Sequence, residues 1–271
     1  MRQHITSGGV GEEMAEFLKK LAESARKAID DGIYDIEFTI YHPTFSINDA
    51  IRSCKHTPII TEIKFASPSV GTIREYSDST RIAREMIDSG AIALSILTQP
   101  NMFDGSIDYL ANARLTLDVP LLMKDIMISD VQIDAAKKIG ADYILLIASL
   151  FNANLCEGSI ERFTDKAHKL GLEVLLETHT EDEFRQAMKS NADLIGINNR
   201  NLDTMQIDIK TTEYILKRCE KKKLVISESG ISEREQIRYL KSVGADAFLI
   251  GTGIMQSNNI KDKVRELVMS I

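Results

Sequence analysis

The stretch Ile59-Ile60-Thr61-Glu62-Ile63-Lys64 decides how this chain reads. It is an apolar, β-branched run of strand length that ends in charge instead of a neutral turn. The same construction recurs along the chain. Met123-Lys124-Asp125, Leu176-Glu177-Thr178, Asn198-Asn199-Arg200, Ser227-Glu228-Ser229-Gly230 and Ile250-Gly251-Thr252-Gly253 each close an apolar run with polar or charged groups. One such ending carries little weight. Six, spread through eight β–α units, predict a pocket lined from several strands, which is how a (β/α)8 barrel builds a site at the C-terminal ends of its strands.

The predicted strands are 59–64, 93–98, 120–125, 143–149, 173–178, 194–199, 224–229 and 247–252. Near-continuous apolar runs of this kind suit parallel strands covered on both faces. Amphipathic helices lie between them. One opens at Thr80–Ser89. Val131–Ile139 stops at Gly140 and Ser232–Val243 at Gly244, both with glycine just past the helix end. Ser232 and Glu235 have the capping-box spacing. This alternation predicts a (β/α)8 TIM barrel over 59–271, with an open doubly wound sheet as the rival. Residues 1–58 fall outside the repeat and predict a helical extension packed on the bottom or side of the barrel. Its helices are expected at Glu12–Asp30 and Ser46–Cys54, with Ser46 as N-cap. Ser7-Gly8-Gly9-Val10-Gly11 reads as a flexible tail.

The 271 residues, 44% hydrophobic, allow one sizeable core. A net charge of −7 without a basic stripe argues against nucleic acid as a partner. It leaves room for a small anionic ligand held by a local cluster of cations. The three cysteines, Cys54, Cys156 and Cys219, are scattered and fit reduced thiols in the cytoplasm. The five histidines show no metal-ligand spacing, so no metal is expected. No secretory signal and no membrane span are expected.

Glu62 and Lys64 are two apart on one strand and share a face. They are a pair of pocket residues or a structural ion pair. Lys124 suits proton transfer because burial can lower the pKa of a lysine. Glu177 is a candidate general base, or a partner for a lysine. Asn198 and Arg200 share a face. The guanidinium fork suits a carboxylate or phosphate, and stitching of the loop is the plainer role. Ser229-Gly230-Ile231-Ser232 after the seventh strand and Gly251-Thr252-Gly253 after the eighth form the paired glycine loops that hold phosphate in such barrels. Ser67-Pro68-Ser69-Val70-Gly71 follows the first strand as a loop able to fold over a ligand, or as an ordinary turn. His179 is read as out of phase with Glu177 and structural. Cys156 has no assigned base and is not expected to act as a nucleophile.

Taken together, these blocks resemble indole-3-glycerol phosphate synthase of tryptophan biosynthesis. The resemblance runs from about Ser46 to the C-terminus. It rests on Glu62-Ile63-Lys64 with Ser67-Pro68-Ser69, Ser95-Ile96-Leu97-Thr98 with Phe103-Asp104-Gly105-Ser106, and Leu122-Met123-Lys124-Asp125. It continues in Leu175-Leu176-Glu177, Ile195 to Leu202, Ser227-Glu228-Ser229-Gly230-Ile231 and Ala247 to Gly251. The family's substrate is 1-(2-carboxyphenylamino)-1-deoxyribulose 5-phosphate, and no cofactor is implied. The resemblance makes Lys124 the general acid, Glu177 the base, and Lys64 the holder of the substrate carboxylate. Glu62, Asn198 and Arg200 become positioning groups. Ser67, Phe103, Ser229, Gly230, Gly251 and Thr252 become substrate and phosphate contacts. A monomer or a homodimer is expected.

Some positions depart from the common pattern. Phe65 stands for a usual Arg or Lys, Val70 for a frequent Lys, Gln99 for an acidic residue, Ile126 for an aromatic and Thr252 for Ser. The alternatives are a related phosphate-binding barrel such as phosphoribosylanthranilate isomerase, or a catalytically silent barrel. The first calls for a Cys/Asp pair, and no strand-end Cys fits. The second predicts loss of Lys64, Lys124 or Glu177, and all three are present.

Overall fold

Eight parallel strands close into a barrel: β1 (Ile59–Ile63), β2 (Ala93–Leu97), β3 (Leu121–Lys124), β4 (Tyr143–Ile147), β5 (Glu173–Thr178), β6 (Leu194–Asn198), β7 (Leu224–Glu228) and β8 (Ala247–Ile250). Each strand pairs with its sequence neighbour. β1 completes the ring on β8, with Ile59 opposite Phe248 and Thr61 opposite Ile250. Closure excludes the open doubly wound sheet. The computed structural model describes residues 10–271. Of the glycine-rich stretch 7–11, residues 7–9 lie outside the described residues, while Val10 and Gly11 begin a helix instead of a tail.

The strand period of two divides the apolar side chains between two cores. Ile59, Leu94, Met123, Ile144, Leu176 and Phe248 face the surrounding helices. Ile60, Leu122, Leu145, Leu175, Ile226 and Leu249 fill the barrel. Higher in the barrel the inward positions turn from aliphatic to charged, at Glu62, Lys124, Glu177 and Glu228. The change of chemistry therefore happens within single strands, and the aliphatic layer forms the floor of the site.

Several predicted boundaries move. β4 stops at Ile147, and Ala148 and Ser149 begin a short helix, Ala148–Asn152, which brings Ser149 onto Glu183. β8 stops at Ile250, and Thr252 opens a short helix, Thr252–Met255. The cap of the helix Arg234–Ser242 is Glu233 with Gln236, not Ser232 with Glu235. Gln236 wins because both ends of its amide are used. Its oxygen accepts from the backbone N–H of Ser232 and Glu233, and its nitrogen donates to Gly230 O at 3.0 Å. The glycine stops at Gly140 and Gly244 are found as expected, with φ of 89° and 111°.

The N-terminal helices do more than cover the bottom or side. The first, α1 (Val10–Asp30), buries Leu18, Leu21 and Ala25 against the open, C-terminal end of the barrel. Gln99 donates to Ser24 Oγ at 2.7 Å, Arg26 pairs with Glu157 at 2.6 Å, and Tyr34 donates to Asp125 at 2.9 Å. The second, α2 (Ile47–Ser53), caps the opposite end with Ile47 and Ile51. Its first turn is held by the Glu173 carboxylate, which accepts from Ser46 Oγ, Ile47 N and Asn48 Nδ2.

Beside it, Asp142 accepts from Phe45 N and Leu121 N, each at 2.9 Å, and pairs with buried Arg114 at 2.8 Å. The guanidinium also serves the carbonyls of Gly140, Leu117 and Val119. Replacing one partner of such a pair strands the other in a dry site. Arg114→Leu is expected to lower the unfolding free energy by about 3–5 kcal/mol, read from urea denaturation.

Candidate active site

A cavity of about 380 Å³ opens at the C-terminal ends of the strands. All twelve residues singled out from the sequence line it: Glu62 and Lys64 from β1 and its exit, Ser67, Phe103, Lys124, Glu177, Asn198, Arg200, and the loop residues Ser229, Gly230, Gly251 and Thr252. Its centre is a charge cluster. Lys124 Nζ lies 2.7 Å from Glu228 Oε2, 3.6 Å from Glu62 Oε2 and 3.7 Å from Glu177 Oε2. Lys64 Nζ pairs with the other oxygen of Glu62 at 2.5 Å. Three buried carboxylates thus share two ammonium groups that are themselves only partly exposed.

This arrangement reverses one expectation. Burial by itself draws the pKa of Lys124 down, but Glu228, Glu62 and Glu177 outweigh it and hold the ammonium protonated, well above the ordinary lysine range. Burial raises Glu62 in turn, and Lys64 and Lys124 bring it below its usual value. Burial also raises Glu177, but the His179 imidazole beside it and the charge of Lys124 draw it down to about 2. Glu228 goes the other way. Burial, with Glu177 and Glu62 adding to it, overcomes Lys124 and pushes its carboxyl up to about 7. The cluster therefore holds a protonated acid and an ionised carboxylate side by side, with environments that separate the two roles.

Space for the carboxylates comes from glycine. A side chain at Gly251 would collide with Glu62, and one at Gly196 with Glu228 Oε1. Glu62 also accepts from Ser95 Oγ at 3.4 Å. Arg200 stitches its loop by donating to Met205 O at 3.0 Å and also lines the cavity. Among the described residues no carboxylate lies within ion-pair distance of it, so its guanidinium remains available to an anion. Ser229 and Gly230 form a turn with two successive left-handed residues, φ 68° and 78°. The turn is tied down by Asn199 Nδ2 donating to Ser229 O at 3.1 Å. The stretch after β1 forms a small hairpin, Ala66–Ser67 with Gly71–Thr72, at the rim.

The sequence reading missed three things. Glu228 carries no role in the sequence reading, yet it is the nearest partner of Lys124. Its strand-end position carried the same signal as that of Glu177. Phe17 and Leu21 of α1 line the cavity, which local pattern alone does not reveal. His179 is not out of phase. It stands two residues beyond Glu177 and shares its face, with Nε2 3.2 Å from Glu177 Oε1. The departures also find places. Phe65 is buried against Tyr76 and Tyr109, at 5.4 and 5.5 Å between ring centroids. Gln99 ties the second strand's exit to α1. Ile126 lines the cavity beside Asp125, which turns away toward Tyr34 and Thr98. Burial pushes the Cys156 thiol up to about 12, which disfavours the reactive thiolate.

Glu228→Gln tests the charge balance. The folded pKa of Glu228 is raised above the unfolded value, so the stability it confers is complete below about pH 4.3 and is lost as pH rises through about 7. The variant lacks that loss. Its unfolding free energy relative to the parent is expected to improve by roughly 3 kcal/mol between pH 4.5 and pH 8, measured by urea denaturation at both values.

Residues 14–267 match the model of a family described as indole-3-glycerol phosphate synthase. The indole-3-glycerol phosphate synthase of Methanocaldococcus jannaschii is 44% identical over 255 residues, covering 93% of this chain and 92% of the relative. That of Acetivibrio thermocellus is 41% identical, covering 83% of this chain and 85% of the relative. Among solved structures, a thiamine phosphate pyrophosphorylase from Pyrococcus furiosus superposes with a TM-score of 0.58 at 16% identity, covering 79% of this chain and 94% of its own. That likeness concerns the fold alone.

Proposed function

This chain belongs to the indole-3-glycerol phosphate synthase family, and from that premise we propose how its residues divide the reaction. The family's enzymes are carboxy-lyases of tryptophan biosynthesis. They convert 1-(2-carboxyphenylamino)-1-deoxyribulose 5-phosphate to indole-3-glycerol phosphate, carbon dioxide and water. The observation that carries the assignment is the position of Lys124 Nζ among Glu228, Glu62 and Glu177, just above the aliphatic floor of a cavity with an apolar side.

In the first step the ring carbon bearing the carboxylate attacks the ketone carbon. The ketone oxygen takes a proton as the new bond forms. Lys124, held protonated, donates it and stabilises the charge that develops on the oxygen. Carbon dioxide then leaves, and its bonding electrons restore the aromatic ring. In the last step a proton is lost from the carbon beside the ring nitrogen and the hydroxyl departs as water. Glu177 takes that proton, and a lysine ammonium protonates the leaving hydroxyl. Lys64 holds the substrate carboxylate until it is lost, exchanging its pairing with Glu62 for one with the ligand. Glu62, Glu228 and Asn198 orient the two ammonium groups and Glu177.

Arg200 and the turns at Ser229-Gly230 and Gly251-Thr252 take the phosphate, where backbone N–H groups and a guanidinium held only by a backbone carbonyl favour an anion. Phe17, Leu21, Phe103 and Ile126 take the anthranilate ring. The ligand is small and phosphorylated, and among the described residues no helix is long and apolar enough to cross a membrane.

Mixing the protein with the carboxyphenylamino-deoxyribulose phosphate and following indole fluorescence tests this. The parent is expected to turn over, and Lys124→Ala and Glu177→Gln to lose about 10²–10⁴-fold in kcat. A parent that binds the substrate without turnover would make the chain a silent barrel.

Ile126 gives the ring an aliphatic wall in place of an aromatic one. Ile126→Phe is expected to lower KM by about 2–10-fold, the equivalent of an aromatic pair worth about 0.5–1.5 kcal/mol. An unchanged KM would remove Ile126 from the ring pocket.

A further inference from the structure

We infer that His179 is a positioning residue that fixes and keeps ionised the carboxylate of Glu177, as the middle member of a chain Glu177–His179–Glu183 running from the cavity wall to the short helix that follows β5. The inference rests on the reading of Glu177 as the base.

The geometry is that of a buried clamp. The His179 side chain is 6% exposed. Its Nε2 lies 3.2 Å from Glu177 Oε1. Its Nδ1 lies 3.3 Å from Ser149 Oγ and 3.7 Å from Glu183 Oε2. Ser149 donates its hydroxyl hydrogen to Glu183 Oε1 at 2.6 Å, so its oxygen meets the ring as an acceptor. The other oxygen of Glu183 accepts from the His179 backbone N–H at 2.7 Å. Both ring nitrogens therefore face acceptors. Only the doubly protonated imidazolium supplies a hydrogen to each; either neutral tautomer would set a lone pair against oxygen.

The charged groups around the ring are Glu177, Glu183 and, beyond Glu177, Lys124 at 3.7 Å from its Oε2. Burial pulls the imidazole pKa down, and the two carboxylates more than reverse this, raising it to about 9. The contact to Glu177 is an ion pair lying off the line of a good hydrogen bond. Catalytic contacts of that kind tighten when substrate arrives.

The cavity has a need for such a cation. In the central cluster Glu62, Glu177 and Glu228 outnumber Lys64 and Lys124, with Arg200 standing apart from them on its loop, and the proposed substrate adds a carboxylate and a phosphate. Each added negative charge favours protonation of Glu177, which would disable it as a base. His179 opposes this from behind, without occupying cavity space. It also anchors Oε1 and leaves Oε2 toward Lys124.

The test is kcat and KM from pH 3 to 10 for the parent, His179→Gln, Glu183→Gln and Glu177→Gln, with folding checked by circular dichroism across that range. In His179→Gln, kcat at neutral pH is expected to fall on the order of 10²-fold. KM stays within about twofold, and the acid limb of the kcat profile moves to higher pH as Glu177 loses its cation. In Glu183→Gln the alkaline limb moves to lower pH, because His179 gives up its proton sooner. A folded His179→Gln with kcat within twofold of the parent, or with a lower kcat but an unmoved acid limb, overturns the inference. Should His179→Gln not fold, an unmoved alkaline limb in Glu183→Gln overturns it instead. Glu177→Gln separates the two readings. Activity retained there overturns the base assignment itself, whereas activity lost there but kept in His179→Gln overturns only the positioning role.

Discussion

The ammonium of Lys124 among three carboxylates is the interaction on which the upper half of the barrel depends. Moving a carboxylate from water into a protein interior costs several kcal/mol unless a cation and hydrogen bonds replace the lost solvation. Here Glu62, Glu177 and Glu228 reach the interior from three different strands. Only a cation at their meeting point makes that mutual approach tolerable. The ring of strands supplies the meeting point, since neighbouring inward positions converge on the axis. The charge cluster and barrel closure therefore require one another: an open sheet would leave these carboxylates spread along a line, each needing its own partner.

The N-terminal segment serves both ends of the same barrel. At the bottom, α2 and the Arg114–Asp142 pair close the aliphatic interior against water. At the top, α1 supplies an apolar wall and is pinned through Gln99, Arg26 and Tyr34. The Tyr34 contact ends on Asp125, whose backbone neighbour is Lys124. Burial raises the Asp125 carboxyl to about 6 even though Thr98, Ile126 and Tyr34 all donate to it. The apolar wall and the central cation thus hang on adjacent residues at the end of β3, one turned outward and the other inward.

Much of this was legible in the sequence, and the reason is periodicity. Strands report their inward face through alternation, so the lysines and glutamates at strand ends could be assigned to one pocket before any coordinates. Phe17 and Leu21 could not, because a helix outside the repeat shows which of its faces is apolar and not which end of a barrel that face covers. The direction of the Lys124 shift was misread for a related reason. Burial alone lowers a lysine, and the opposing carboxylates come from β1, β5 and β7, far apart in the chain. His179 was a plain error of phase, since positions two apart on an extended chain share a face. The misplaced capping box at Ser232 had a different origin: two overlapping patterns compete there. Gln236 prevails because it can also hold Gly230, a contact visible only in three dimensions.

The glycines show how the barrel accommodates its own charges. Glycine loops at the ends of β7 and β8 invite a reading in terms of phosphate alone. Yet a Cβ at Gly251 would strike Glu62, and one at Gly196, in the middle of β6, would strike Glu228. Gly196 lies opposite Glu177 in the ladder, and Ser95 opposite Glu62. Wherever a carboxylate enters the interior, an adjacent strand contributes glycine or a small hydroxyl. An interior packed to ordinary density with aliphatic residues has no such vacancies, so the small residues and the acids form one pattern. Gly251 then has two reasons for its identity, the approach of an anion from the cavity and the presence of Glu62 behind it. The second acts in the free protein, before any ligand arrives.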